Sequence, residues 1–162
     1  MDLFNQNEVK AEWLHPTEFP SMKGRDVVAI DLETCDTDLK KMGPGWPRKV
    51  GDVIGIAISS GDFTAYYPIA HEGGGNMDRS IIIEYIKEIC EDESIQKVFH
   101  NAQYDIGWLS VLNIEVKGYI HDTMIAAALL NENRYSFTLN SMVSEYLGEF
   151  KNESLLKLKQ KN

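Results

Sequence analysis

Asp31 and Glu33 are the first residues of this 162-residue chain whose types and spacing could do chemistry. They follow the apolar run Val27-Val28-Ala29-Ile30 and flank Leu32. Side chains alternate along a strand, so the two carboxylates share a face about 7 Å apart while Leu32 turns into the core. Two carboxylates at the end of a buried central strand repel each other, and their pKa values rise unless something compensates. A hard divalent cation compensates, and Mg²⁺ takes a few carboxylates together with water and phosphate oxygens. From the pair alone, a solvated strand end with Asp31 capping the next turn is the commoner arrangement.

A second set, His100-Asn101-Ala102-Gln103-Tyr104-Asp105, follows the short strand pattern Lys97-Val98-Phe99-His100. Asn101 and Asp105 are four apart and share a face once a helix begins, where they could meet Asp31 and Glu33 over the sheet edge. Alone, Asn101 reads as a turn residue and Asp105 as a first-turn acid favoured by the helix dipole. Trp46 lies among Lys40, Lys41, Arg48 and Lys49, where it could stack a base of single-stranded DNA or cover an apolar patch from a loop. Gly73-Gly74-Gly75 lacks the Lys-Ser/Thr of a phosphate-binding loop and reads as a plain loop. His71, His100 and His121 have no metal-ligand spacing and suit packing or hydrogen bonding. Asp122 suits a helix N-cap better than a further catalytic acid.

The elements that must position these residues follow from periodicity. Residues 27–30 read as a central buried strand. Val53–Ser59 and Phe63–Tyr67, joined by Ser60-Gly61-Asp62, read as a β-hairpin. Ile81, Ile82, Tyr85, Ile86 and Ile89 predict an amphipathic helix over 79–91. A strand at 97–100 leads into a helix through Ile106 and Leu109. A strand at 119–121 leads into a helix over Met124–Leu130, and a last helix carries Leu139, Met142, Val143, Tyr146 and Leu147 up to Gly148. Residues 43–47 and 71–76 read as loops. A leading antiparallel meander followed by alternating helices and strands predicts an α/β fold, a mixed sheet with helices on its faces.

Composition bounds the rest. Hydrophobic residues at 43% and charged residues at 25% suit one ordinary globular domain,. The net charge is −9, from 16 basic and 25 acidic residues. No broad basic field draws this chain to a polyanion, so any phosphate chemistry depends on local groups or bound cations. Cys35 and Cys90 form no ligand pattern and read as free thiols of a reducing cytoplasm, with one disulfide as the alternative. The N-terminal MDLFNQNEVKAEW is charged where a secretory signal needs an apolar run. Met124–Leu130 is too short to span a bilayer, so no membrane partner is expected.

The ordered set of motifs resembles the DnaQ-like (DEDD) 3′–5′ exonucleases. Asp-x-Glu-Thr after a V-V-A-I strand and Asn-x-x-x-Asp after a later strand look like the first two motifs of that family. The likeness is closest to proofreading domains of phage-type family A DNA polymerases. It extends to Gly43–Arg48, His71–Asn76, His121–Ala127, Leu139–Ser141 and Tyr146–Gly148, nearly the whole chain from Trp13 onward. The resemblance implies a ribonuclease H-like fold: a mixed five-stranded sheet flanked by helices, with the last helix missing. Residues 1–24 would be a loose lead-in and 25–162 the exonuclease-like domain. It further implies two Mg²⁺ or Mn²⁺ ions. Asp31 would bridge both, Glu33 would bind the one that holds the attacking water, and Asp105 would hold the second. Asn101 matches the position that contacts the substrate's 3′ end, and Thr34 lies beside the metals. The implied substrate is the 3′ end of single-stranded DNA, cleaved to nucleoside 5′-monophosphates, in a host cytoplasm if the gene is viral. The family's third motif, Tyr-x-x-x-Asp or His-x-x-x-x-Asp, has no counterpart, since no aspartate follows Asp122. The expectation is a shortened domain whose fourth acid, and the polymerase module, lie on a second polypeptide. The alternative is a non-catalytic DNA- or partner-binding fragment of a split phage polymerase.

Overall fold

A computed structural model describes residues 16–148. Its strands are β1 (Val27–Cys35), β2 (Asp52–Ser60), β3 (Phe63–Pro68), β4 (Gln96–Phe99) and β5 (Ile120–Asp122). Its helices are α1 (Leu39–Met42), α2 (Arg79–Glu91), α3 (Ala102–Val111), α4 (Thr123–Leu130) and α5 (Leu139–Leu147). The strands form one sheet in the order β3-β2-β1-β4-β5. The β1–β2–β3 meander is antiparallel, whereas β4 and β5 join it in parallel. That is the mixed five-stranded sheet expected, with β1 at its centre.

β1 is not buried on both faces. Val28, Ile30 and Leu32 point into a core shared with Ile56, Ile58 and Tyr67 of the meander and with Ile82, Ile86 and Ile89 of α2. On the opposite face Val27, Ala29, Asp31 and Glu33 are exposed. A four-residue apolar run cannot distinguish a strand covered on both sides from one covered on a single side. α2 has the bounds its apolar spacing predicts, and it starts where the Asp78 carboxylate accepts from the Ser80 and Ile81 amides at 2.9 and 3.2 Å,.

Residues 16–24 are docked rather than loose. Met22 is buried in the core. Phe19 stacks on Tyr67 with ring centroids 5.6 Å apart and meets Tyr85 edge-on at 5.3 Å. The Tyr85 hydroxyl donates to the Pro20 carbonyl at 2.9 Å. Trp13, Leu14 and the lysines at 151, 157, 159 and 161 lie outside the described residues. Lys97 of β4 is wholly buried, and its ammonium ties two turns by donating to the carbonyls of Asp92 and, at 2.8 Å, Lys117. Cys35 is exposed, Cys90 is buried, and both are free. Among the described residues no helix is long and apolar enough to cross a membrane.

Candidate active site

β1 continues past its acids to Cys35, so Asp31 and Glu33 lie within the strand and not at its end. What ends is β4. It pairs with β1 only from Val27 to Ala29, and the chain then turns at His100 and Asn101 into α3. The second half of β1 therefore has a free edge, and α3 fills it. Asp105 in the first turn of α3 reaches that edge, where its Oδ1 accepts the Leu32 N–H at 3.2 Å. On the other edge the β1–β2 register slips between Glu33 and Thr34, with Ile54 the extra residue of β2. Such bulges re-aim side chains beside functional sites.

This arrangement brings Asp31 and Asp105 together. Asp105 is only 3% exposed. Burial pushes its carboxyl up to about 7, the Asp31 charge adds to the rise, and the Leu32 amide pulls the other way. Two carboxylates coupled in this way repel each other, which is the condition a divalent cation relieves. Glu33 shares the face of Asp31, opposite Gly55 of β2. Among the described residues no three His, Cys, Asp or Glu side chains converge tightly enough to form a ready-made cation cage. The donor set that fits a cation is thus the coupled Asp31–Asp105 pair, with Glu33 alongside on the same strand.

Asn101 is the residue before α3 and adopts a left-handed backbone, φ 73°. Its side chain is exposed and makes no capping bond, whereas Asp105 is buried, so the two do not share one helical face. The cap comes instead from Asp122. That carboxylate accepts the Asn101 and Ala102 amides at 3.1 and 2.8 Å and the Met124 and Ile125 amides of α4 at 2.9 and 3.3 Å. Burial opposes ionisation of Asp122, but these four N–H groups outweigh it and hold its carboxyl below the usual carboxylate value. The N-cap reading of Asp122 holds, and it extends to the helix that carries Asp105.

Thr34 bonds Tyr104 of α3 at 2.8 Å, and the Tyr104 hydroxyl donates to Asp36 at 3.2 Å. Asp36 in turn accepts the Gly45 amide at 2.8 Å, tying the loop of Trp46 to the end of β1. Trp46 opens a single turn of 3-10 helix over Trp46–Arg48, and its indole lies on Gly107 of α3. A Cβ at Gly107 would come within 2.3 Å of that ring. The geometry thus matches the patch-covering alternative for Trp46. The three loop and strand histidines are hydrogen-bonded as expected: His71 to Tyr66, His100 to Thr123 and the Phe137 carbonyl, His121 to Gln96. Sequence reasoning missed Tyr104, Asp36 and the Tyr66–His71 pair. Tyr104, at position i+3 from Asn101 and beside Asp105, carried the nearest signal.

A β3-β2-β1-β4-β5 mixed sheet with an acid pair at its central strand defines a ribonuclease H-like nuclease fold. The RNase D of Trypanosoma brucei in its GMP complex shares it with a TM-score of 0.64 at 18% identity, over 88% of this chain and 42% of that one. Brucella melitensis NrnC with bound Mg²⁺ shares it with a TM-score of 0.57 at 24% identity, over 83% and 61%. A family model described as 3′–5′ exonuclease matches residues 17–162, and the chain belongs to that family, the exonuclease domain of family A DNA polymerases. A DNA-directed DNA polymerase of Pseudomonas phage M6 is 34% identical over 155 residues, 92% of this chain. The chain spans 23% of the length of that polymerase.

Proposed function

We propose that this chain is a divalent-metal-dependent 3′–5′ exonuclease domain that hydrolyses the 3′-terminal phosphodiester of DNA. The observation that carries this reading is the buried Asp105 coupled to Asp31 at the edge of β1 that β4 leaves and α3 reaches. Asp31, Glu33 and Asp105 would hold two Mg²⁺ or Mn²⁺ ions, which when bound supply positive charge to the attacking and leaving oxygens of an in-line displacement. NrnC, a protein of this fold, is seen with Mg²⁺, which supports the choice of metal.

The protein's own groups prepare that site. The Leu32 amide fixes one Asp105 oxygen and so orients the carboxylate that would hold the ion. Burial and the Asp31 charge raise the Asp105 carboxyl, and a bound cation would favour its ionised form. Asn101, exposed on the left-handed turn that leads into α3, would present its amide to the 3′-terminal sugar. Thr34 follows Glu33 on β1 and is held by Tyr104. Trp46 packs on α3 and so supports the helix that carries Asp105. An acidic chain holds a polyanion at such a site because bound cations invert the local field.

The fourth carboxylate is proposed to come from polymerase sequence outside these 162 residues, on the same or a second polypeptide. The sheet face left open among the described residues supports this. Ala29, Asp31, Ala57, Phe99 and Leu139 line a shallow groove of about 250 Å³, and a second apolar groove of about 300 Å³ runs between α4 and α5. A helix laid across them would bring an acid to Asp31. The same surface favours a second reading, in which the chain acts by binding a partner and not by hydrolysis. A 3′-labelled single strand incubated with Mn²⁺, alone and with the downstream polymerase fragment, decides between them. Mononucleotide release that Asp31→Ala lowers by on the order of 10³-fold or more is expected. No release under either condition would sink the enzymatic reading.

A further inference from the structure

Tyr66 of β3 stands in line with Asp31 across the sheet, since Asp31 pairs with Ala57 and Ala57 pairs with Tyr66. Register partners share a face, so Tyr66 lies on the side of the sheet that carries Asp31 and Glu33. Its ring does not stand upright. It leans across β2 at Gly55, the residue directly opposite Glu33, and a Cβ at Gly55 would fall 1.9 Å from the Tyr66 hydroxyl. Gly55 thus has no side chain because the phenol occupies that space, and the phenol is aimed at the strand position of Glu33. The Glu33 charge is felt at the hydroxyl, where it adds to the rise in pKa that burial causes.

The hydroxyl is held from behind. His71 Nε2 bonds it at 2.5 Å, with the two rings edge to face at 5.9 Å. His71 is itself pinned, since the Asn76 side chain accepts its N–H at 2.7 Å and donates to its carbonyl at 2.9 Å. Tyr66 and His71 form the wall of an open cleft of about 1070 Å³ that begins beside Thr34. With His71 as the Nε2–H tautomer, the imidazole donates to the phenol oxygen, so this bond does not consume the phenol proton.

We propose that Tyr66, oriented by His71, is a positioning residue for Glu33, its hydroxyl bonding that carboxylate directly or through one water and fixing it in the orientation that holds a divalent cation. This rests on the reading of Glu33 as a cation ligand. Outer partners of ligating side chains set ligand orientation, and losing one weakens metal affinity by about 10- to 100-fold. The test is Mn²⁺ titration of the full 162-residue chain, free Mn²⁺ being followed by electron paramagnetic resonance, with metal-free thermal unfolding measured in parallel. Tyr66→Phe, which keeps the ring over Gly55, is expected to weaken Mn²⁺ binding about 10-fold without changing the metal-free melting temperature. His71→Ala is expected to do the same from the loop side, and His71→Gln to restore most of the affinity. Wild-type affinity in both Tyr66→Phe and His71→Ala, with affinity lost in Asp31→Asn, overturns this role and leaves the cation site standing. Wild-type affinity in Asp31→Asn as well overturns the site and the role together.

Discussion

At the scale of single residues, Asp105 determines how this site responds to pH. Its carboxyl titrates near pH 7 in the fold and near 3.9 in an unfolded chain, so between these values the folded state holds the extra proton. Stability of the metal-free protein therefore falls as pH rises from about 4 to 7 and levels off above, at about 1.4 kcal/mol per unit of displacement. Asp105→Asn keeps an oxygen for the Leu32 amide and carries no charge. Denaturant titrations at pH 5 and pH 8 should show the variant losing this slope and standing above wild type at pH 8. Mg²⁺ should raise the melting temperature of wild type at pH 8 and leave Asp105→Asn unmoved. Asp122 responds in the opposite direction. Its carboxyl is depressed by four amides, so its contribution is present above the ordinary carboxylate value and is lost as pH falls through its folded one. Asp122→Ala uncaps α3 and α4 together, and chemical denaturation at neutral pH should record a loss of about 2 kcal/mol or more.

At the scale of elements, the seating of α3 determines where Asp105 falls, and a glycine inside that helix controls the seating. Gly107 costs about 1 kcal/mol relative to alanine in a helix interior, so Gly107→Ala would stabilise an isolated α3. Here the added methyl meets the Trp46 indole, and α3 or the 43–48 loop must give way. Thermal unfolding should show a net loss of about 1–3 kcal/mol, with a change in Trp fluorescence from the displaced ring. The helices were legible because their signals are local: apolar spacing for α2, a capping Asp for α4, and Gly148 after α5. The meander was legible from Ser60-Gly61-Asp62. α1 and the turn at Trp46 were not, since four- and three-residue elements carry no period. The true length of β1 was hidden because Asp31-Leu32-Glu33-Thr34 alternates weakly and its free edge depends on where β4 stops. Asp31 and Asp105 stood out through the ordered set of motifs and not through local signals, since Asp31 lies within β1 and Asp105 does not share a helical face with Asn101. The Tyr66 contact did not stand out, because it crosses two strands and depends on what residue 55 lacks.

At the scale of the whole molecule, burial is uneven. One face of the sheet is closed by α2 and carries most of the core, from Val28 and Ile56 to Ile86. α4 and α5 behave differently. α4 is Thr-Met-Ile-Ala-Ala-Ala-Leu-Leu, yet only Ala127 is buried, with Leu129 and Leu130 at 84% and 77% exposure. α5 buries only Met142 among its described side chains. The two helices are held by the Asp122 cap, by His100 bonded to Thr123 and the Phe137 carbonyl, and by Arg134 paired with Glu145. Polar ties of this kind fix direction, but they supply little of the apolar burial on which helical stability mostly depends. Regions with few buried apolar contacts open at a lower free energy than the core. Native-state hydrogen exchange on the 162-residue chain should therefore find α4 and α5 amides exchanging about 100-fold or more faster than those of β1, β2 and α2. In a longer polymerase chain that covers this face, the α4 amides should slow toward the rate of β2 while those of α2 stay as they are. Equal protection of α4 and β2 in the 162-residue chain would show that the face is already covered, and would remove the main structural support for a carboxylate-bearing helix supplied from elsewhere in the polymerase.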